Sequence, residues 1–140
     1  MKPLKDRFNS FSELARHKKE GEHYMIVVQE KAESRVSIIA PHGGNIEPNT
    51  SKIAQGIAAN DHNLYIFEGL EDVGSFHELH VTSHLFDEPR CLDLVAKTDV
   101  TVSIHGCRSK EEVIYIGGRD EKLKQSLAAE FNKHSIRAEI

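Results

Sequence analysis

The stretch Arg35-Val-Ser-Ile-Ile-Ala-Pro-His-Gly-Gly-Asn-Ile-Glu-Pro48 decides the reading of the fold. Its first half, RVSIIA (35–40), is rich in β-branched residues and predicts a strand, which Pro41 is expected to end. Its second half is a glycine-bearing loop with a histidine at its entrance. Thr50 to Asn60 then predicts a helix, with Thr50 or Ser51 as N-cap and Ile53, Ala54 and Ile57 on its buried face. A strand, a loop with ionisable residues and a helix in succession are the repeating unit of an α/β layer fold.

The unit recurs on both sides. Upstream, Ser10 to Lys19 predicts a helix, and YMIVVQ (24–29) a strand able to pair with RVSIIA. Downstream, LYIFE (64–68), HELHVTS (77–83), VTVSI (100–104), Val113 to Ile116 and Arg137 to Ile140 predict further strands, seven in all. Helices are expected over Arg90 to Lys97 and, capped by Asp120, over Glu121 to His134. The expectation is a mixed, mostly parallel sheet flanked by helices. A chain of 140 residues fits one domain, and no composition shift marks an internal boundary, so 1–140 reads as a single domain.

Composition narrows the function classes. A formal net charge of −4, without a basic stripe, argues against nucleic acid as the main partner. The basic residues of the first twenty positions, from Lys2 to Lys19, are interrupted by Asp6, Glu13 and Glu20 and read as a solvated helical face. No apolar run suits a signal sequence or a membrane span, so the expectation is a cytoplasmic protein, with release on lysis leaving no sequence trace. Cys91 and Cys107 lack CxxC spacing and read as buried free thiols. Neither a G-x-S-x-G elbow nor a Walker loop occurs; Gly117-Gly118-Arg119-Asp120 reads as a turn before a helix.

Nine histidines in 140 residues make metal chemistry the class to examine. His42 follows RVSIIA after one residue, and His105 follows VTVSI directly. Functional residues of open α/β sheets gather beyond the carboxyl ends of strands, so the two imidazoles meet if their strands are close. A catalytic zinc site takes three protein ligands plus water, and two histidines with one carboxylate is an established set. Glu47, across the Gly43-Gly44 bend from His42, is the nearest carboxylate; Glu68, Asp87 and Glu88 are alternatives. His80, Ser83, Asp87 and Arg108 are candidates for contacting substrate or orienting ligands.

The motifs PHGGNIEPNT (41–50), YIFEGL (65–70), LHVTSHLFDEP (79–89), SIHG (103–106) and YIGGRD (115–120), in this order, resemble the poly-γ-glutamate hydrolase family of phages and bacilli, formerly labelled phage-related replication proteins. The resemblance runs from about Tyr24 onward. It implies a zinc-carboxypeptidase-like fold, a Zn²⁺ cofactor and hydrolysis of γ-glutamyl linkages in an acidic polymer. It selects His42, Glu47 and His105 as metal ligands and leaves Glu68 to packing. The family pattern also has a later GVQLE-like strand whose Glu is the expected general base. No such stretch occurs in residues 1–140, so this chain resembles the metal-binding part of the family without its C-terminal part, and its catalytic base is unassigned. A non-catalytic domain that binds metal or polymer is the alternative expectation.

Overall fold

A computed structural model describes residues 5–140, which divide into two compact units, one ending at Gly106 and the other running from Cys107 to Ile140. Lys2 lies outside the described residues.

The first unit is built on four strands: β1 (Tyr24–Gln29), β2 (Val36–Gly44), β3 (Asn63–Gly69) and β4 (Val100–Ser103). Their spatial order is β1-β3-β2-β4. β2 runs parallel to both β3 and β4, whereas β1 is antiparallel to β3. The mixed, mostly parallel sheet therefore agrees with the sequence expectation, but β1 and β2 do not pair: β3 lies between them. β3 is buried along nearly its whole length, the mark of a central strand covered on both faces.

Two apolar clusters cover the sheet. One gathers Phe8, Phe11, Leu14, Tyr24, Tyr65, Phe67, Leu79, Val81, Phe86 and Leu94. The other joins Ile38, Ala40, Leu64 and Ile66 to Ala54 and Ala58 of α2 (Thr50–Ala58). Five of the six phenylalanines and two of the three tyrosines thus concentrate on one face, while small and aliphatic residues let α2 approach the other.

Several elements depart from the sequence reading. Pro41 does not end β2. The ladder to β3 shifts register between Ala40 and Gly43, and proline, which has no N–H to give, is tolerated at such an irregularity. The helix expected over Ser10 to Lys19 is a single turn, α1 (Phe11–Leu14), capped by the Ser10 hydroxyl. In α2 the buried residues are Thr50, Ser51, Ala54 and Ala58, while Ile53 and Ile57 are exposed; the N-cap is Asn49, in the left-handed region at φ 74°. The expected strand over His77 to Ser83 is instead α3 (Ser75–Leu79), then extended chain and a 3₁₀ turn over Ser83–Leu85. Leu79 and Val81 are both fully buried, so the alternation that suggested a strand reflects an extended segment packed on the core without a ladder. α4 (Pro89–Ala96) follows, with proline at its first turn and the Glu88 carboxylate accepting from Cys91 N–H.

The second unit holds β5 (Ile114–Tyr115), α5 (Glu121–Lys133) and β6 (Ala138–Glu139), with β5 and β6 parallel. Asp120 caps α5 as expected, its carboxylate accepting from Leu123 N–H at 2.9 Å. No helix among the described residues is long and apolar enough to cross a membrane.

Candidate metal centre

β2 and β4 are neighbours, and their carboxyl ends deliver His42 and His105 to one place. Two glycines make the approach possible. A Cβ on Gly43 would lie 2.4 Å from Ser51 Oγ, 2.8 Å from Ile66 Cγ2 and 2.9 Å from the Phe67 carbonyl oxygen. Gly44 adopts φ 61° and is pressed onto the Gly69 backbone. With no side chain at either position, the chain bends and returns Glu47 to His42, and Glu47 N–H bonds the His42 carbonyl at 2.9 Å.

His42 is 2% exposed. Its Nε2 lies 2.8 Å from the Val81 carbonyl oxygen. A carbonyl only accepts, so Nε2 carries a hydrogen, and the tautomer this selects presents Nδ1 as the free lone pair. That Nδ1 lies 3.3 Å from Glu47 Oε1 and 3.2 Å from His105 Nδ1. His105 Nδ1 is 3.6 Å from Glu47 Oε2, which also accepts from Gly106 N–H at 2.8 Å. On its far side, His105 Nε2 meets Ser103 Oγ at 2.8 Å and Ser83 Oγ at 3.5 Å.

Two imidazole nitrogens and a carboxylate thus face one another at 3.2–3.6 Å. Donors about 2.1 Å from a tetrahedral zinc stand about 3.4 Å apart, so the two nitrogens and the carboxylate, which meets them through its two different oxygens, are spaced close to the edge of such a tetrahedron. The donor chemistry fits as well: neutral imidazoles and an ionised carboxylate suit zinc. Without a cation, close approach of the two Nδ1 atoms calls for a proton between them, and metal binding would displace it. Burial raises the pKa of the Glu47 carboxyl, but the adjacent imidazoles of His105 and His42 and the N–H of Gly106 outweigh it and hold the group well below the usual carboxylate range.

His80 stands beside this trio. Its ligand atom, with those of His42 and Glu47, falls within a 4.8 Å span, which makes His42, Glu47 and His80 a competing set. The separation of 4.0 Å between His80 Nε2 and Glu47 Oε1 exceeds the tetrahedral edge, whereas the His105 distances match it. His105 and His80 are thus two candidates for the third donor position, and the His105 distances lie nearer the tetrahedral edge. The His80 ring is sandwiched between His42, centroids 3.9 Å apart, and Phe76, at 4.3 Å. Its Nδ1 is 2.7 Å from Asp6 Oδ1. Burial lowers the His80 pKa, the neighbouring His42 ring adds to this, and the opposing pull of Asp6 does not restore it.

The remaining candidates have other partners or belong to the second unit. Asp87 accepts from the Ser12 N–H and hydroxyl, anchoring α1. Glu68 takes the Ser51 hydroxyl at 2.6 Å, and Glu88 is buried as the α4 cap, paired with Arg90. Arg108 is exposed and belongs to the second unit. Cys91 is buried as expected, but Cys107 is exposed, because the ladder ends at Ser103 and leaves it in irregular chain. Sequence reasoning missed Ser103 and Asp6. Ser103 was readable, since residues two apart on a strand share a face; Asp6, 74 positions from His80, offered no signal.

Comparison with known proteins places this geometry in a family. The SPbeta prophage-derived protein YoqZ of Bacillus subtilis is 36% identical over 135 residues, covering 96% of this chain and 48% of its own length. YndL of the same organism is 36% identical over 115 residues, covering 82% and 44%. The chain thus spans about half the length of these curated relatives. A bacteriophage poly-gamma-glutamate hydrolase structure superposes with a TM-score of 0.91 at 29% identity, covering 97% of this chain and 66% of the other. A zinc-free apo form of YNDL gives 0.90 at 32%, covering 96% and 65%. The poly-gamma-glutamate hydrolase family model matches residues 8–140, and the chain belongs to that family.

Proposed function

We propose that this chain binds one zinc ion through His42 Nδ1, the Glu47 carboxylate and His105 Nδ1, as part of a hydrolase that cleaves γ-glutamyl linkages of poly-γ-glutamate. The observation that carries the metal reading is the bare Nδ1 of His42, fixed by the Val81 carbonyl and facing both Glu47 and His105. A lone pair buried against a carboxylate and a second ring nitrogen is unfavourable without a cation or proton among them. Membership of the poly-gamma-glutamate hydrolase family supports the substrate, and the zinc-free form of a structural neighbour supports the metal.

Zinc, when bound, would acidify a water and polarise the scissile carbonyl. The protein's own contribution is orientation. Val81 fixes the His42 tautomer, Ser103 braces His105, and Gly106 N–H holds one Glu47 oxygen. His80 Nε2, one step back from the donors, is positioned to hydrogen-bond a group in the open coordination position.

Elemental analysis of untagged protein tests this reading, with His105→Ala as comparison. One zinc per chain, lost in the variant, is expected. No zinc in the wild type would refute the metal assignment. Zinc without depolymerisation of poly-γ-glutamate would favour a metal- or polymer-binding domain over an enzyme for residues 1–140.

A further inference from the structure

Asp6 lies ahead of residues 8–140, the span that carries the family match, yet it reaches into the metal centre. Its Oδ1 meets His80 Nδ1 at 2.7 Å. Its Oδ2 accepts from Thr82 N–H at 2.8 Å and from the Thr82 hydroxyl at 2.7 Å. The Thr82 N–H belongs to the same peptide unit as the Val81 carbonyl that receives His42 Nε2–H. One carboxylate therefore grips two devices at once. It takes the Nδ1 hydrogen of His80, leaving that ring's Nε2 lone pair on the side of Glu47. It also holds the N–H end of the peptide whose C=O end orients His42.

We propose that Asp6 is a positioning residue of the metal centre, fixing the tautomer of His80 directly and the orientation of His42 through the Val81–Thr82 peptide. The inference rests on the zinc reading above. Its physical basis is general. An imidazole ligand is oriented by the acceptor of its other N–H, and hydrogen bonds in a chain polarise one another, so an anion on the amide hydrogen makes the carbonyl opposite a better acceptor. The Asp6 side chain is 17% exposed and its oxygens receive three hydrogen bonds, so its position is determined from several directions.

Asp6→Asn keeps the shape but replaces one acceptor by an NH₂ that cannot accept from Thr82 or His80. Zinc affinity, measured by chelator competition on the full chain, is expected to fall about 10–100-fold. In the zinc-free protein, nitrogen-15 correlation spectra should show His80 leaving its single Nδ1–H tautomer. His80→Ala, which leaves Asp6 on Thr82, should lose less affinity than Asp6→Asn; equal losses would overturn the peptide arm. Asp99→Asn, which breaks an exposed pair with Arg35, should alter neither readout. Wild-type affinity and an unchanged tautomer in Asp6→Asn would overturn the inference, including the case in which only thermal stability drops. A wild-type chain that binds no zinc would overturn the underlying metal reading and this inference with it, and the wild-type measurement separates that case from the first.

Discussion

Gly43 sits directly after His42, and replacing it with alanine should damage the fold by an amount the structure specifies. The new methyl would meet the Ser51 hydroxyl at 2.4 Å, the Ile66 methyl at 2.8 Å and the Phe67 carbonyl at 2.9 Å. Ile66 and Phe67 belong to the central strand β3 and cannot yield without disturbing its pairing with β2. Ser51 can rotate away, but its oxygen accepts from Gly44 N–H at 2.9 Å and its hydrogen goes to Glu68. Overpacking of a tight core costs about 1–3 kcal/mol, and an orphaned buried polar group about 1–3 more. The sum, about 2–6 kcal/mol, corresponds at about 4 °C per kcal/mol to a fall in Tm of about 8–24 °C for a unit of this size. Gly56→Ala is the matched control. Gly56 lies within α2, and an added Cβ there meets nothing within 4 Å. The same substitution should stabilise by about 0.5–1 kcal/mol, because alanine loses less backbone entropy in a helix. Thermal unfolding followed by circular dichroism reads both. A Gly43→Ala protein melting within about 1 °C of wild type would refute the packing argument, as would a Gly56→Ala protein that melts well below it.

Other outcomes follow from the site and core. Glu47→Gln removes the anionic donor and should abolish stoichiometric zinc binding while leaving the far-ultraviolet spectrum unchanged; full zinc occupancy in that variant would exclude Glu47 as a ligand. The folded-state pKa of Glu47 is lowered from its ordinary 4.5, so its contribution to stability should be fully present above about pH 4.5 and lost as pH falls toward the folded value. The pKa of His80 is lowered from 6.5, so acidification through that value should already begin to weaken the first unit, because the unfolded chain takes up the proton more readily. Denaturant titrations of zinc-free protein between pH 7 and pH 4 check both signs, and a stability that rises on acidification would contradict them. Iodoacetamide should label Cys107 in the native protein and spare Cys91, whose thiol is buried and pushed up to about 12 by burial and by the nearby Glu88 carboxylate; mass mapping of the modified peptide decides.

The fold was legible where local signals and burial agree. The β-branched runs of β1 and β3, the Asp120 cap and the proline-led α4 lie close to where their residues indicate. The reading failed where packing overrides local preference. Pro41 is carried through β2 by a register shift, and no residue-level signal announces that. In α2 the small side chains of Ala54 and Ala58 face the sheet and the larger Ile53 and Ile57 face solvent, because close approach to the sheet outweighs apolar volume. Leu79 and Val81 are buried by an extended segment after a helix turn, which their spacing could not distinguish from a strand. Within the site, the convergence of His42, Glu47 and His105 could be anticipated from strand ends and family motifs. The role of His80 depends on Asp6, 74 positions away, a long-range neighbour that no spacing in the chain encodes.

The order β1-β3-β2-β4 also bears on folding kinetics. His42 and His105 are 63 positions apart and meet only after β4 has docked beside β2, one of the least local events in forming the first unit. A cation gripped by both would act as a cross-link closing a long loop, and the chain-entropy account puts such a closure at about 4 kcal/mol for a covalent bridge. Because the grip forms after most of the sheet, it would hardly speed folding and would mainly slow unfolding. The metal-loaded first unit would then be distinguished less by how quickly it assembles than by how long it resists opening.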